Sequence, residues 1–383
     1  SVIMGALMIL LLYRITVLVT GNKTTGLIAA GLLCFSHYHL TLIMGIKGMD
    51  HNDVAFGFYV LASLWAYAAY ERSGKWYWVL LIGLFSGCAI LNKWLTGLAV
   101  FLAWGVNLLI DLKHKDRKDL VRFMVALAVC CIVFIPWQIY IHRAFPEEAR
   151  YEAAYNTRHI FEALEGHTGS IWYYLRAAGS YFGSWLWLGI APGILLAFFM
   201  KRRNSRLLYA FTVLLLFVLC FFSFIVQTKV HSYFFMIAPI CMMFIAISLY
   251  AVCFRSGKRW AAVVVLPVAL WLSLRPGEWK RYFSADNHER NRKVHNTAVY
   301  KNIRNYIPEH VKIVVGLNEF EDVELMFYHK DIAAIHWWLP PEDMERLAAE
   351  QVPVATFKSR EPYVMPSYLP DYPYLYIIDK TVK

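Results

Sequence analysis

The strongest constraint in this sequence is a series of apolar runs of about 20 residues, each long enough to cross the roughly 30 Å hydrocarbon core of a bilayer. Ten can be traced, at about 1–20, 25–44, 54–71, 76–92, 95–112, 121–141, 181–200, 207–226, 233–253 and 260–274. Backbone polar groups within lipid must be satisfied internally, so uninterrupted runs of this length fold as membrane-spanning α-helices. A composition 59% hydrophobic and only 17% charged over 383 residues excludes an ordinary soluble enzyme. The expected fold class is an α-helical polytopic membrane protein with about ten spans.

The formal net charge of +11 would suggest nucleic acid or an acidic surface as partner if it lay on a soluble domain. Position gives it another meaning. Up to Leu274 there are 23 Lys and Arg against 11 Asp and Glu; beyond it, 15 against 16. Within the apolar part, alternate connections hold Lys23; Arg72 and Lys75; Lys113, Lys115, Arg117, Lys118 and Arg122; Lys201, Arg202, Arg203 and Arg206; and Arg255, Lys258 and Arg259. By the positive-inside rule these connections are cytoplasmic. The opposite set, with Lys47, Lys93, Arg143, Arg150, Arg158, Arg176 and Lys229, is external, and nucleic acid drops out as a partner. The same parity puts Ser1 outside, at the start of a span without an initiating Met, so a truncated or processed N-terminus is expected. All seven cysteines lie in apolar runs without a C-x-x-C spacing and read as packing residues.

Composition divides the chain into a membrane domain, 1–274, and a tail, 275–383. The tail opens on RPGEWKRYFSADNHERNRK, read as a linker, and continues as a small external α/β domain. In it, 311–317 reads as a buried strand, 322–329 as a helix or strand, 341–351 as a capped helix and 374–379 as a second strand. No phosphate loop or metal spacing occurs there, so a packing role outweighs a catalytic one.

Charges at membrane depth are costly and become functional candidates. GIKGMDHNDVAF places Lys47, Asp50, His51, Asn52 and Asp53 at an external turn, where a carboxylate can act as base, metal ligand or sugar partner. The bland alternative is a solvated loop, and it weighs more for Asp50 than for Asp53. Lys93, in ILNKWLTG, sits between the fourth and fifth runs, suited either to a phosphate or to snorkelling. QTKVHSYFFMIAP brings Lys229, His231, Ser232 and Tyr233 to the same side, with Pro239 inside the following span. There His231 is a candidate for metal binding, for proton transfer or for simple interfacial hydrogen bonding. The external segment 142–180 is amphipathic and aromatic. Trp137, Tyr140, Trp172, Tyr173 and Tyr174 suit an interfacial belt, EEARYEAAY suits a helix on the membrane plane, and Arg158 and His159 could meet a lipid phosphate. Asp50, His51, Asp53 and His231 are the candidate ligands for a divalent metal ion, the one cofactor expected.

The ordered set LLYRITVLVTGNKTTGLIAAGLL, NDVAFGFYVLASLWAYAAY, GLFSGCAILNKW, IPWQIYIHRAF with GHTGSIWYYL, and TKVHSYFFMIAP resembles the GT-C integral-membrane glycosyltransferases. Within them it is similar to the protein O-mannosyltransferase and lipid A aminoarabinose transferase superfamily. The resemblance implies a polyprenyl-phosphate sugar donor and inverting transfer, on the external face of a bacterial inner membrane, to a protein, lipid or glycan acceptor. It implies that Asp53 matches the acidic residue opening the third span, that Lys93 meets the donor phosphate, and that Arg158 and Tyr233 lie near the phosphate and sugar. By their own positions Asp50 joins Asp53 as a candidate for the chemistry, and Lys229 and His231 join the candidates for substrate binding. It also places the superfamily's principal catalytic aspartate upstream of Ser1. Two other readings stand beside it. A transporter or flippase would show internal repeats and charges deep within the spans, and the acidic residues instead share one face. A noncatalytic membrane subunit would follow if no catalytic aspartate is supplied.

Overall fold

The computed structural model describes residues 1–46, 51–110, 117–199, 205–255, 260–318, 321–358, 364–380 and 382. The chain divides into two compact units, Ser1–Pro276 and Gly277–Lys383.

The first unit is helical: α1 (Val2–Thr20), α2 (Lys23–Cys34), α3 (His37–Ile43), α4 (His51–Ser73), α5 (Tyr77–Lys93), α6 (Ala99–Ile110), α7 (Arg117–Ala144), α8 (Pro146–Phe161), α9 (Tyr173–Phe182), α10 (Ile190–Phe199), α11 (Ser205–Cys220), α12 (Ala238–Tyr250) and α13 (Ala261–Leu274). Among the described residues, five helical stretches are long and apolar enough to cross a membrane: Val2–Thr20, Lys118–Ala144, Arg206–Ile225, His231–Arg255 and Ala261–Tyr282. Two bent pairs, α2 with α3 and α9 with Leu186–Phe199, bring the number to seven. The shorter apolar helices Tyr77–Lys93 and Leu95–Ile110, together with α4, account for the remaining runs of the sequence. The protein is thus an integral membrane protein whose spans are less uniform than the hydropathy pattern suggests.

The departures from straight spans have local causes. The run 25–44 breaks by 55° because Ser36 starts a new helix, its hydroxyl accepting from the backbone N–H of His39. The run 181–200 turns by 102° at Gly183, whose φ is +85°; a Cβ there would lie 2.2 Å from the Leu272 carbonyl oxygen. Pro239, inside the span as the sequence placed it, sits at the opening of α12 after a 3₁₀ turn over His231–Ile237, where its missing N–H costs nothing. Helices α5 and α7 approach closely at Gly83 and Gly87, where a Cβ would meet the Ala126 carbonyl oxygen at 2.4 Å and the Val133 side chain at 2.6 Å. This is the small-residue packing that apolar helices use where lipid supplies no hydrophobic drive for association.

The second unit opens with α14 (Pro276–Tyr282) and α15 (His288–Lys301), so the stretch read as a linker is largely helical. Asn287 caps α15, accepting from the Arg290 N–H at 3.0 Å, a signal overlooked among the surrounding charges. Then follow β1 (Ile313–Val315), α16 (Glu321–Tyr328), β2 (Ala333–Ile335), α17 (Pro341–Ala349), β3 (Val354–Phe357) and β4 (Leu375–Ile378). The segment 322–329 resolves as helix. The four strands form one parallel sheet in the order β2-β1-β3-β4, with Val314 opposite Ala334 and Ala355. The central β1 and β3 are largely buried, as strands with a neighbour on each side are in a parallel sheet, and β1 accordingly reads as an apolar run and not as alternation.

Candidate active site

Asp53 lies in the first turn of α4, and Lys93 is the last residue of α5. A carboxylate at a helix N-terminus and an ammonium at a helix C-terminus both complement the helix dipole. Packing of α4 along α5 joins the two side chains in an ion pair. Asp53 is 3% exposed and the Lys93 side chain 21%, so the pair is largely withdrawn from water while the ammonium keeps an outward face. Such a pair holds together only while both charges remain, since removing one partner of a buried pair costs roughly 3–5 kcal/mol.

Helix α4 also packs against the His231–Ile237 turn, which brings the third sequence cluster to the first two. The carboxylate of Asp53 acts electrostatically on the phenols of Tyr38 and Tyr233. Three tyrosine hydroxyls hold the backbone under His231: Tyr38 and Tyr181 donate to the His231 carbonyl at 2.9 and 3.1 Å, and Tyr174 donates to the Val230 carbonyl at 3.3 Å. The Tyr181 oxygen also lies 3.0 Å from His231 Nδ1. With its one hydrogen spent on the carbonyl, Tyr181 accepts from a protonated Nδ1, which assigns Nε2 as the acceptor nitrogen of the neutral ring. His231 is exposed, and its ring is oriented from below by Tyr181 and from the side by Tyr173, at centroid distances of 5.4 and 5.2 Å. Tyr233 is half-buried against Phe222, with centroids 4.9 Å apart.

Two residues expected at the substrate are otherwise engaged. Lys229 is 4% exposed, and its ammonium donates to the carbonyls of Phe222, Ser223 and Val226, the Ser223 bond at 2.9 Å. It closes the C-terminal end of the preceding helix, where a cation and three donors match the unpaired carbonyls. All three hydrogens are used there, which corrects the sequence-based view of Lys229 as a substrate contact. Arg158 lies on an exposed face of α8 and donates from Nε and Nη2 to Glu162 Oε2 at 3.0 and 2.7 Å. This contact raises the guanidinium's pKa and lowers that of Glu162, and it sets Arg158 in a helical i,i+4 pair. Asp50 lies outside the described residues, as does the side chain of His51. Among the described residues no three His, Cys, Asp or Glu side chains converge as a metal site requires.

Several residues of the site carried little signal in the sequence. Tyr38 sits beside the break in the second span, between buried His37 and His39, and the polar triplet HYH inside an apolar run was the available sign. Thr228 is fully buried and joins the segment 142–180 to the site: its hydroxyl donates to the Glu162 carbonyl at 2.8 Å and accepts from the Leu164 N–H at 3.2 Å. The backbone N–H groups of Gln227, Thr228 and Lys229 donate to the carbonyls of Ile160, His159 and His167.

The chain thus combines a polytopic helical unit with broken spans, a carboxylate–lysine pair at the ends of two of its helices, and a small α/β unit. The crystal structure of ArnT from Cupriavidus metallidurans bound to undecaprenyl phosphate matches this fold with a TM-score of 0.62 at 16% identity, covering 92% of this chain and 75% of that one. The apo structure of the same ArnT matches with the same TM-score at 15% identity, covering 93% and 71%. Residues 1–151 match the family of dolichyl-phosphate-mannose-protein mannosyltransferases. An undecaprenyl phosphate-alpha-4-amino-4-deoxy-L-arabinose arabinosyl transferase of Pectobacterium carotovorum is 26% identical over 243 residues, 61% of this chain and 41% of that protein. A second enzyme so named, from Proteus mirabilis, is 25% identical over 230 residues, 58% of this chain and 38% of its own length. The chain therefore spans about two fifths of the curated relatives it matches. The resemblance to the protein O-mannosyltransferase and lipid A aminoarabinose transferase superfamily, drawn from the sequence, is borne out by fold and family match together.

Proposed function

We propose that this chain carries out glycosyl transfer from a polyprenyl-phosphate sugar to an acceptor hydroxyl or phosphate on the external face of the membrane. The observation that carries the reading is the withdrawn Asp53–Lys93 pair at the ends of two packed helices. The Lys93 side chain is partly exposed beside the buried Asp53 carboxylate, which suits an ammonium that meets a phosphate oxygen as a point charge. In the transfer, the acceptor oxygen bonds to the anomeric carbon as the bond from that carbon to the phosphate oxygen breaks. The electron pair leaves with the polyprenyl phosphate. Attack from the opposite face inverts the anomeric centre, and the acceptor proton passes to a base. Charge grows on the departing phosphate, and an ammonium preset by a buried carboxylate stabilises it without reorganisation. Asp53 serves by fixing and orienting Lys93, and His231, held by Tyr181, presents Nε2 on the same side of the molecule.

The names of the relatives support a lipid-phosphate pentose as the first donor to test, with a hexose donor second. The acceptor is a protein, lipid or glycan, and the external face is taken from the charge of the connections. The test is transfer from undecaprenyl-phosphate pentose in membranes holding the protein, against Asp53→Asn and Lys93→Ala. Losses of about a hundredfold or more in kcat, the usual effect of removing one oxyanion donor, support the assignment. Unchanged turnover in both variants refutes it.

A further inference from the structure

The external segment carries an organised surface that the transfer machinery above does not use. Along one side of α8, Tyr151, Tyr155 and His159 recur at four-residue spacing. The rings of Tyr151 and Tyr155 stack with centroids 5.9 Å apart and planes 13° from parallel, and His159 meets Tyr155 edge-on at 5.2 Å. Tyr151 is 65% exposed. The Tyr155 hydroxyl donates to Glu165 Oε1 at 2.7 Å, and the carboxylate holds that phenol's pKa up at about 12, so it stays a donor throughout the working range. Glu165 has a left-handed backbone, with φ of +54°, an arrangement a non-glycine residue keeps only where its surroundings demand it. The surroundings are identifiable. His159 Nδ1 lies 3.1 Å from the Thr228 hydroxyl, and the loop 162–167 hangs on Thr228 and Lys229. Tyr155 and Glu165 both act electrostatically on Tyr233, as Asp53 does.

We infer that Tyr151, Tyr155 and Glu165 form an acceptor subsite for a saccharide. This rests on the glycosyltransferase reading and names its acceptor class. Stacked phenols offer a flat face to the C–H side of a pyranose ring, and a carboxylate with an oxygen beyond its tyrosine bond accepts from sugar hydroxyls or an amine. Lipid is the competing occupant. Against it, α8 carries Glu147, Glu148, Arg150, Glu152, Asn156, Thr157 and Arg158, three acidic side chains against two basic ones, where a helix held on an anionic lipid surface carries an excess of Lys and Arg.

Two measurements on the full chain in nanodiscs test the subsite. The first is saturation-transfer NMR with a glucosamine disaccharide and a mannose disaccharide as probes, comparing the parent protein with Tyr151→Ala, Tyr155→Phe and Glu165→Gln. The expected result is binding of at least one probe, weakened fivefold or more by Tyr151→Ala and Glu165→Gln and unaffected by Glu152→Gln elsewhere on the same helix. The second is transfer kinetics with a saccharide acceptor, where the acceptor KM should rise at least tenfold in Glu165→Gln with kcat changed less than threefold. If the parent protein transfers no sugar, the enzyme reading fails while disaccharide binding still decides the subsite. Neither disaccharide binding, or binding indifferent to all three substitutions, overturns the inference. So does strong quenching by brominated lipid of a fluorophore on Tyr151→Cys, which would put the strip in the bilayer.

Discussion

Each unit places a carboxylate in the first turn of a helix, Asp53 in α4 and Glu321 in α16, and surrounds it differently. Glu321 accepts from neutral groups only, in the bonds seen: the amides of Asn296 at 3.1 Å and Asn318 at 2.8 Å, and the Tyr300 hydroxyl. Those partners come from α15 and from the loop after β1, so the carboxylate ties the unit's elements together. Asp53 meets a cation that is itself partly open to the surface. A carboxylate saturated by amides and a phenol stabilises a fold. One paired with a part-exposed ammonium at the ends of two packed helices suits the proposed phosphate contact. Burial alone does not draw that distinction, since Lys229 is as buried as Asp53 and its ammonium closes a helix end.

Substitutions at the two kinds of site should behave differently. The largest structural effect is expected at Gly87: Gly87→Leu forces a side chain into the Cys130 carbonyl and Val133, and should abolish the folded membrane unit in detergent melting assays. Lys229→Met keeps the aliphatic stem but strands three carbonyls, and should cost about 1–3 kcal/mol by the same assay. If it also cuts transfer more than tenfold at unchanged stability, Lys229 belongs with the functional charges after all. Glu321→Gln should lose about 1.5–3 kcal/mol from charged hydrogen bonds, with transfer by the folded fraction unaltered. The smallest effect is expected at Asp331, whose carboxylate is held down to about 2, first by Lys312 and also by Arg304. A lowered folded-state pKa stabilises above the unfolded value and is lost as pH falls toward the folded one. Asp331→Asn should therefore flatten, slightly, the decline of stability between about pH 4 and pH 2.

Much of this was legible in the sequence, for reasons that differ by region. Lipid permits few backbone solutions, so apolar runs located the spans reliably. The bends at Ser36 and Gly183 escaped because hydropathy averages over the one residue that breaks a helix. Lys93 and Asp53 stood out because charge at membrane depth is rare. Tyr38, Tyr181 and Thr228 did not, because their value lies in contacts to residues 231, 231 and 162, whose separations in sequence no local pattern encodes. Lys229 was misread for a related reason: a cation near other polar residues looks the same whether it faces a phosphate or its own helix's carbonyls. In the second unit, β1 and β4 lie in longer apolar runs, VKIVVGL and YLYIID, whereas β2 and β3 are short segments whose neighbours are polar, Pro or aromatic, so no run marked them.

In the proposed reaction Lys93, paired with Asp53, holds the donor's phosphate. The most direct test is binding of undecaprenyl phosphate to the nanodisc-embedded chain, by calorimetry or native mass spectrometry, in the parent protein and in Lys93→Ala and Lys93→Arg. The account gives an affinity loss of tenfold or more in Lys93→Ala, with partial recovery in Lys93→Arg. Equal affinity in all three proteins, at matched stability, would contradict it.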